Sequence, residues 1–324
     1  QSALYYPNLY GYALDEELNN TDMATYIKFK MQTKKWIFDV GLRGSFYATS
    51  GVIIPEPRVG MKFNISDRLR IKGAAGYYSQ SLARVKSDQD VVNYFNGFIL
   101  EPESLTKNFG EYQATNSLQT AWHVVTGIET EPIQPLQING EVYCKYFPQT
   151  ISYNRNKRFS SSTLHSTVPD LYTESFIVEK GWAYGADLMV KYTTDRFFSQ
   201  ISYSLTFVSV SDGLQTYHPH YDRRHNLNLV ASYYLGNHAN PWELNSHFTL
   251  GSGFPFTPVT SYYGKSDLGD YDSGSVLNNY YAYGVILGET NSIRFPVFYR
   301  LDLTIKRTFQ LKVAGRLEAS FSLF

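Results

Sequence analysis

The chain has 324 residues, and its 29 basic and 29 acidic side chains cancel, so its charge does not indicate nucleic-acid binding. Charged residues make up 18% of the sequence, below the roughly 25% of a typical soluble domain, whereas aromatic residues reach 16%. The single cysteine excludes a disulfide scaffold and a cysteine-based zinc site. No run of about 18 apolar residues is present, which excludes a transmembrane helix. A tyrosine-rich all-β protein remains.

Apolar and polar residues alternate along the whole chain, which predicts about twelve β-strands and no long helix. The pattern is clear in 200–207, where Ile201, Tyr203 and Leu205 are apolar and the intervening residues are polar. In chain order the alternating segments are Met23–Met31, Phe38–Phe46, Val59–Ile65, Leu69–Lys72, Trp122–Glu129, Leu136–Lys145, Trp182–Lys191, Gln200–Phe207, Leu227–Leu235, Trp242–Leu250, Leu301–Lys306 and Leu317–Leu323.

The predicted strands are long, at about 9 to 14 residues, compared with about 5 or 6 in soluble proteins. At about 3.3 Å per residue and a tilt near 40°, eleven residues rise roughly 28 Å, close to the hydrocarbon thickness of a bilayer. Short connections are predicted near 33–35, 66–68, 131–135, 193–196, 236–241 and 309–312, and longer ones near 47–57, 80–111, 150–180, 211–224 and 255–299. Tight turns at one end and long loops at the other are typical of outer-membrane barrels.

The two faces of the predicted strands differ in chemistry. Aromatic residues fall near strand ends, as the girdles of a membrane barrel require, at Trp36, Phe46, Tyr77, Trp122, Trp182, Tyr192, Tyr233 and Trp242. The opposite face carries charges of both signs, at Asp39, Arg43, Lys62, Arg70, Lys72, His123, Glu129, Glu141, Lys145, Asp187, Lys191, Glu243, His247, Asp302 and Lys306. We therefore predict a transmembrane antiparallel up-and-down β-barrel, the alternative being the hydrophobic core of a soluble β-protein.

Several stretches resemble the C-terminal part of the barrel of TonB-dependent outer-membrane receptors. They are Trp36–Tyr47, Pro57–Gln80, Ala183–Phe207, Tyr221–Gly236, Trp242–Pro258 and Tyr299–Phe324. The resemblance implies a location in the outer membrane of a Gram-negative bacterium, with lipid, lipopolysaccharide and the TonB complex as partners. It also implies active import of a scarce ligand, such as a siderophore-bound iron, cobalamin, a glycan or a peptide.

The chain departs from that family in extent, since the family encloses an N-terminal plug in a barrel of about 22 strands. We expect residues 1–324 to be one partial barrel domain, without the plug, the TonB-contacting segment, the first strands and the last strand or strands. A complete barrel of about twelve strands is the rival interpretation, and it requires the last strand to pair with the one near Met23.

Candidate binding residues lie in the predicted long loops, which carry specificity on rigid scaffolds. In the segment Tyr217–His225, His218 and His220 accompany His225 and Asp222, so a metal or metal-chelate contact and a plain polar loop are both open. The loop 255–299 is rich in tyrosine, which offers flat amphipathic contact area at low entropic cost. Its candidate ligand-binding residues are Tyr262, Tyr263, Tyr271 and Tyr280, and contact with lipopolysaccharide is the alternative.

No zinc-protease, phosphate-loop, serine-hydrolase or dinucleotide-binding motif is present, so we predict neither an enzyme nor a bound cofactor or resident metal. The function predicted from the residues and the resemblance together is energy-coupled import. A passive porin or an adhesin is the alternative within the membrane class, and a soluble carbohydrate-binding β-protein is the alternative outside it.

Overall fold

A computed structural model describes residues 2–5, 13–16, 21–85, 97–100, 108–109, 112–113, 116–154, 173–174, 176–236, 240–265, 282–311 and 315–324. Among these residues all regular structure is β-strand, and no helix is long and apolar enough to cross a membrane. The predicted all-β class is confirmed.

Twelve long strands form one antiparallel sheet. They are β3 (Asp22–Gln32), β4 (Trp36–Tyr47), β5 (Val52–Asn64), β6 (Leu69–Gln80), β11 (Gln119–Ile133), β12 (Leu136–Tyr153), β13 (Phe176–Thr193), β14 (Phe197–Ser211), β16 (His225–Leu235), β17 (Trp242–Gly251), β22 (Phe298–Leu311) and β23 (Gly315–Leu323). The shorter strands are β1 (Ser2–Tyr5), β2 (Ala13–Glu16), β7 (Leu82–Val85), β8 (Gly97–Leu100), β9 (Asn108–Phe109), β10 (Tyr112–Gln113), β15 (Thr216–Tyr217), β18 (Pro255–Phe256), β19 (Val259–Lys265), β20 (Ala282–Leu287) and β21 (Ile293–Arg294).

The long strands pair in an unbroken up-and-down order, each with the preceding and the following long strand. In the described residues β3 and β23 do not pair with each other, so the sheet is open along both edges. Short turns join the strands at one end, which we name the turn end, and the longer connections leave from the opposite loop end. Up-and-down order with this rhythm is the arrangement of a membrane barrel wall.

The register confirms the two faces predicted from the alternation. Lys62 lies opposite Lys72, His123 opposite Lys145, and Glu141 opposite Asp187, so the charged positions share one face, named here the inward wall. Along the described long strands the outward positions carry two strongly charged side chains within the sheet. Lys180 lies at the loop end over the Tyr112 ring, and the Arg307 guanidinium lies over the Trp242 and Phe309 rings near the turn end. A cation among aromatic rings at that level suits a membrane interface.

Aromatic side chains form a belt near each end of the outward face. Stacked or tilted ring pairs mark the loop-end belt (Tyr77–Trp122, Tyr146–Trp182 and Tyr184–Phe207) and the turn-end belt (Trp36–Phe63, Tyr192–Phe197 and Phe197–Tyr233). On β13, Trp182 belongs to one belt and Tyr192 to the other. Ten residues of tilted strand rise about 25 Å, the height of the apolar band of an outer-membrane barrel.

The predicted long loop near 47–57 is wrong. Residues 48–51 form a tight turn, in which Gly51 adopts a positive φ of 67° that costs glycine little, and β5 starts at Val52. The prolines at positions 55 and 57 suggested a loop, yet Val52–Pro57 pairs with β4 alone. On that free edge the missing proline N–H removes no hydrogen bond from the sheet.

The described parts of the predicted long connection 255–299 contain strands, because β19 pairs with β20 and β18 pairs with β21. In addition, β12 and β13 reach 18 residues each and continue past the loop-end belt. The buried apolar side chains cluster at this end, around Val208, Tyr217 and Tyr47. The described residues of the loop end therefore form a packed collar.

Candidate binding wall and loop-end collar

The inward wall carries a chain of ion pairs in its turn-end half. The Lys62 amine lies 2.8 Å from Glu129 Oε2, and Lys72 reaches the other Glu129 oxygen at 3.1 Å and also contacts Glu141. These four side chains come from four consecutive strands of the sheet. They are each about 30% exposed, so they form a hydrated network that a watery lumen tolerates.

Further cross-strand pairs extend this pattern toward both edges of the sheet. Lys28 meets Asp39 at 2.7 Å near one edge, and Lys306 meets Glu243 at 3.5 Å and Glu318 at 3.4 Å near the other. Because opposite charges alternate along the wall, its turn-end half presents little net field to a passing solute.

The loop-end half of the wall has a different composition, with a stack of side chains around Tyr78. The Arg58 guanidinium lies 4.6 Å from the centre of the Tyr78 ring, and the His123 ring centre lies 4.6 Å from it. The Tyr78 ring also covers Gly76, where an added Cβ would meet the phenol oxygen at 3.0 Å. Lys145 continues the row as the direct cross-strand neighbour of His123.

Among the described residues four carboxylates are buried in the collar, namely Glu56, Glu179, Asp212 and Asp222, and each is held by several donors. Glu56 is 2% exposed and accepts hydrogen bonds from Ser45, from the backbone and hydroxyl of Ser79, and from Arg58. Glu179 is fully buried and accepts from the hydroxyls of Ser152 and Tyr217 at 2.5 and 3.0 Å. Since buried charges are tolerated only when paired or hydrogen-bonded, both groups serve to fix strands together.

Asp222, another of these buried carboxylates, joins two connections of the collar and strand β14. Its Oδ2 lies 3.1 Å from Arg224 and 2.5 Å from Arg294, and its Oδ1 accepts from the Val208 N–H at 2.9 Å. Arg294 also donates to the Gly253 carbonyl oxygen, at 3.3 Å. One side chain therefore ties the 211–225 connection to β14 and to the long 252–297 connection.

The candidate histidines face separate partners. His218 Nδ1 lies 2.6 Å from the Val208 carbonyl oxygen and its Nε2 lies 3.1 Å from Arg224, while His225 pairs with the Tyr203 hydroxyl. His220 packs edge-on against Tyr221. Within the described ranges no group of three His, Cys, Asp or Glu side chains could hold a metal ion.

The candidate tyrosines of the long connection fall partly outside the described residues. Tyr262 and Tyr263 lie on β19, where they are 69% and 47% exposed. Their side chains are therefore available at the loop end. Tyr271 and Tyr280 lie outside the residues that the structure describes.

Two grooves open side by side on the inward wall, and Tyr78 lines both. One has a volume of about 670 Å³ and is lined by Tyr26, Lys28, Asp39, Arg43 and Arg58 among others. The other, of about 370 Å³, is lined by His123, Glu141, Tyr143, Lys145 and Asp187 among others. Both lie on the face that a barrel lumen contains.

Comparison with known proteins gives a fold but no sequence family. No family model and no curated protein matches the chain. Among solved structures, the ferripyoverdine receptor of the outer membrane of Pseudomonas aeruginosa matches with a TM-score of 0.54 and 12% identity, over 93% of this chain and 34% of that one. The fold is that of an outer-membrane receptor barrel.

Other receptors match in the same way. The siderophore receptor PirA from Acinetobacter baumannii gives a TM-score of 0.55 at 12% identity, and the ferric yersiniabactin uptake receptor FyuA from Yersinia pestis gives 0.53 at 7% identity. The chain covers 45% and 43% of their lengths, so it spans less than half of each receptor chain that it resembles. The resemblance in sequence to TonB-dependent receptors is thus confirmed for the fold.

The charged wall predicted from the sequence is confirmed, and His123 and Asp222 were named there, but the stacking of Arg58 on Tyr78 and the burial of Glu56 and Glu179 were not predicted. Parity alone puts Arg58 on the same face as Lys62, and this signal could have added Arg58 and Tyr78 to the wall. No pattern marks Glu56 or Glu179, because their burial arises from collar packing between distant segments.

Proposed function

We propose that this chain is part of the barrel wall of an outer-membrane importer of a Gram-negative bacterium, which takes up a ferric chelate with energy supplied through the TonB complex. The observation that carries the proposal is the receptor-barrel fold, found over 93% of the chain. The outward face fits lipid because apolar positions fill the band between its two aromatic belts.

A ferric chelate is the ligand class we favour, because the matched structures are described as receptors for ferripyoverdine, a siderophore and ferric yersiniabactin. In this proposal the ligand enters at the loop end. His218, His220, Tyr262, Tyr263, Tyr271 and Tyr280 belong to the mouth, and the inward wall guides the ligand onward. The chain performs no covalent chemistry in this role.

The test is uptake of radioactive iron by a strain lacking the gene and by the same strain carrying it. Iron would be supplied as a panel of chelates of differing charge, with and without a protonophore. We expect uptake of at least one chelate that needs the gene and stops when the proton gradient collapses. Uptake that persists without the gradient indicates a passive porin, and binding to surfaces without uptake indicates an adhesin.

A further inference from the structure

Cations on the inward wall differ in their carboxylate partners. Lys62 and Lys72 share carboxylates toward the turn end, and Lys28 and Lys306 are paired near the edges. Arg300 also contacts a carboxylate, although it lies toward the loop end of β22. Toward the loop end, Arg43 and Lys145 form no ion pair with a carboxylate of the described residues. Lys145 instead lies 5.4 Å from the centre of the Tyr143 ring.

The loop-end cations are aligned by the register of the sheet. Arg58 lies opposite Gly76, Gly76 opposite His123, and His123 opposite Lys145, so one straight row crosses four strands. Neighbouring strands lie about 4.8 Å apart, so the row spans roughly 14 Å. Arg43 is one strand further along and lines the same groove as Arg58.

The Tyr78 ring positions the side chains of this row. Its ring occupies the space above Gly76, between the Arg58 guanidinium and the His123 ring. The Arg58 Nε is buried and has no hydrogen-bond partner in the described structure, although another nitrogen of the same group donates to Glu56 at 2.8 Å. The Arg58 guanidinium is therefore fixed in position, but its Nε–H donor is not used in a hydrogen bond within the described structure.

The acidic groups nearby leave the row basic. Glu56 is buried and holds its hydroxyl and guanidinium donors, and Glu141 contacts Lys72 at the turn-end side of the smaller groove. Asp187 lines the same groove directly opposite Glu141. It lies four residues along β13 from Ala183, which is the cross-strand neighbour of Lys145. The two carboxylates therefore lie at the turn-end border of the groove, and the cations lie toward its loop end.

We infer that Arg43, Arg58, Tyr78, His123 and Lys145 form a wall subsite for an anionic group of the transported ligand, such as a carboxylate. This inference rests on the proposed import function and narrows its ligand class. Guanidinium and ammonium groups bind carboxylates through charge-assisted hydrogen bonds, and the flat Tyr78 ring offers a face for the body of the ligand.

The test compares two lysines that carry the same charge on the same face. Lys145→Gln removes a cation of the subsite, whereas Lys191→Gln removes one near the turn end, where the described structure shows no carboxylate partner either. Each substitution is introduced into the gene of the protein, once alone and once together with Arg43→Gln, and the resulting protein is expressed and purified. Binding of ferric citrate, a ferric catecholate and a cationic ferric hydroxamate to the purified protein is then measured by fluorescence quenching.

We expect an anionic chelate to bind, with Lys145→Gln weakening it about tenfold and the double variant further, while Lys191→Gln changes it less than about twofold. Raised salt weakens the wild-type interaction and has less effect on the double variant. Heat-dependent migration in gel electrophoresis verifies that each variant is folded.

Three results overturn the inference. Equal effects of Lys145→Gln and Lys191→Gln show a general field without a subsite. Lowered stability with unchanged affinity shows that Lys145 serves another segment of the same barrel. Energy-dependent import of only neutral or cationic chelates rejects the anionic class while leaving the proposed function standing, whereas absence of any gene-dependent uptake rejects that function itself.

Discussion

The outward and inward faces of this sheet are built from the same strands and the same alternation, yet they obey different rules. Outward positions between the belts are mainly apolar, and Val142 and Leu188 are each 44% or more exposed in the isolated chain. Inward positions mix charge, amide, hydroxyl and glycine. A soluble protein would bury the apolar side, so the exposed apolar band indicates that lipid covers it.

The difference in composition between the two faces reflects the solvent that each face contacts. Lipid penalises any misplaced charge, so the outward face is constrained at every position. Water accepts many side chains, so the inward wall can vary its charges and place them according to the solute. The following substitutions test this contrast, from the largest expected effect to the smallest.

The sharpest test places one arginine on either side of the same strand. Leu188 faces outward between the belts, and its neighbour Met189 faces inward opposite Asn139 and Ser202. Leu188→Arg should cost about 2–4 kcal/mol of folding free energy in lipid vesicles, because a guanidinium enters the hydrocarbon near its midplane. Met189→Arg should cost little, since that side chain reaches water. Urea titration of folding into vesicles measures both, and equal losses contradict the assignment of faces.

A second test concerns the collar, where a buried charge and its partners contribute more to the free energy of unfolding than the hydrated charges of the inward wall. Asp222→Asn preserves the size of the side chain but removes the charge that Arg224 and Arg294 contact. We expect a loss of about 2 kcal/mol and faster hydrogen exchange in 206–225, because two cations lose their buried partner. Asp195→Asn, the same change in an exposed turn, is the control. Unchanged exchange in Asp222→Asn indicates that the carboxylate does not hold the collar.

The third test concerns the hydrated ion pairs of the inward wall. Glu129→Gln removes the carboxylate that Lys62 and Lys72 share. Because all three groups are partly exposed to water, the expected loss is below about 1 kcal/mol, and added salt should reduce it further. Urea unfolding at low and high salt measures it. A loss as large as that of Asp222→Asn shows that the lumen wall is drier than its exposure indicates.

Much of the fold could be read from the sequence because a strand repeats every two residues and one face is uniformly apolar. The strand in 200–207 and its faces follow from that period alone, and the structure confirms them. The short turns were also predictable, since a turn such as 194–196 interrupts two clear alternating runs.

The collar could not be read in the same way. Pro55 and Pro57 indicate a loop in any local analysis, and only the pairing of the neighbouring strands shows that they occupy a free edge. Asp222 meets Arg294 across 72 residues of chain, a contact that no local pattern encodes. The sequence therefore revealed the wall and left its loop-end contacts hidden.

The smallest expected effect concerns the glycine beneath the Tyr78 ring. Gly76 and Gly60 both face inward, but an added Cβ at Gly60 meets its nearest neighbour at 3.7 Å, whereas at Gly76 it meets the Tyr78 oxygen at 3.0 Å. Gly60→Ala should stabilise the protein by about 0.5 kcal/mol, because the unfolded chain loses freedom. Gly76→Ala should gain nothing and should weaken binding of an anionic chelate about twofold, as the ring shifts between Arg58 and His123. Urea midpoints and chelate titrations measure both variants. Identical behaviour of the two would show that the ring over Gly76 does not shape the row, and that its cations act independently of Tyr78.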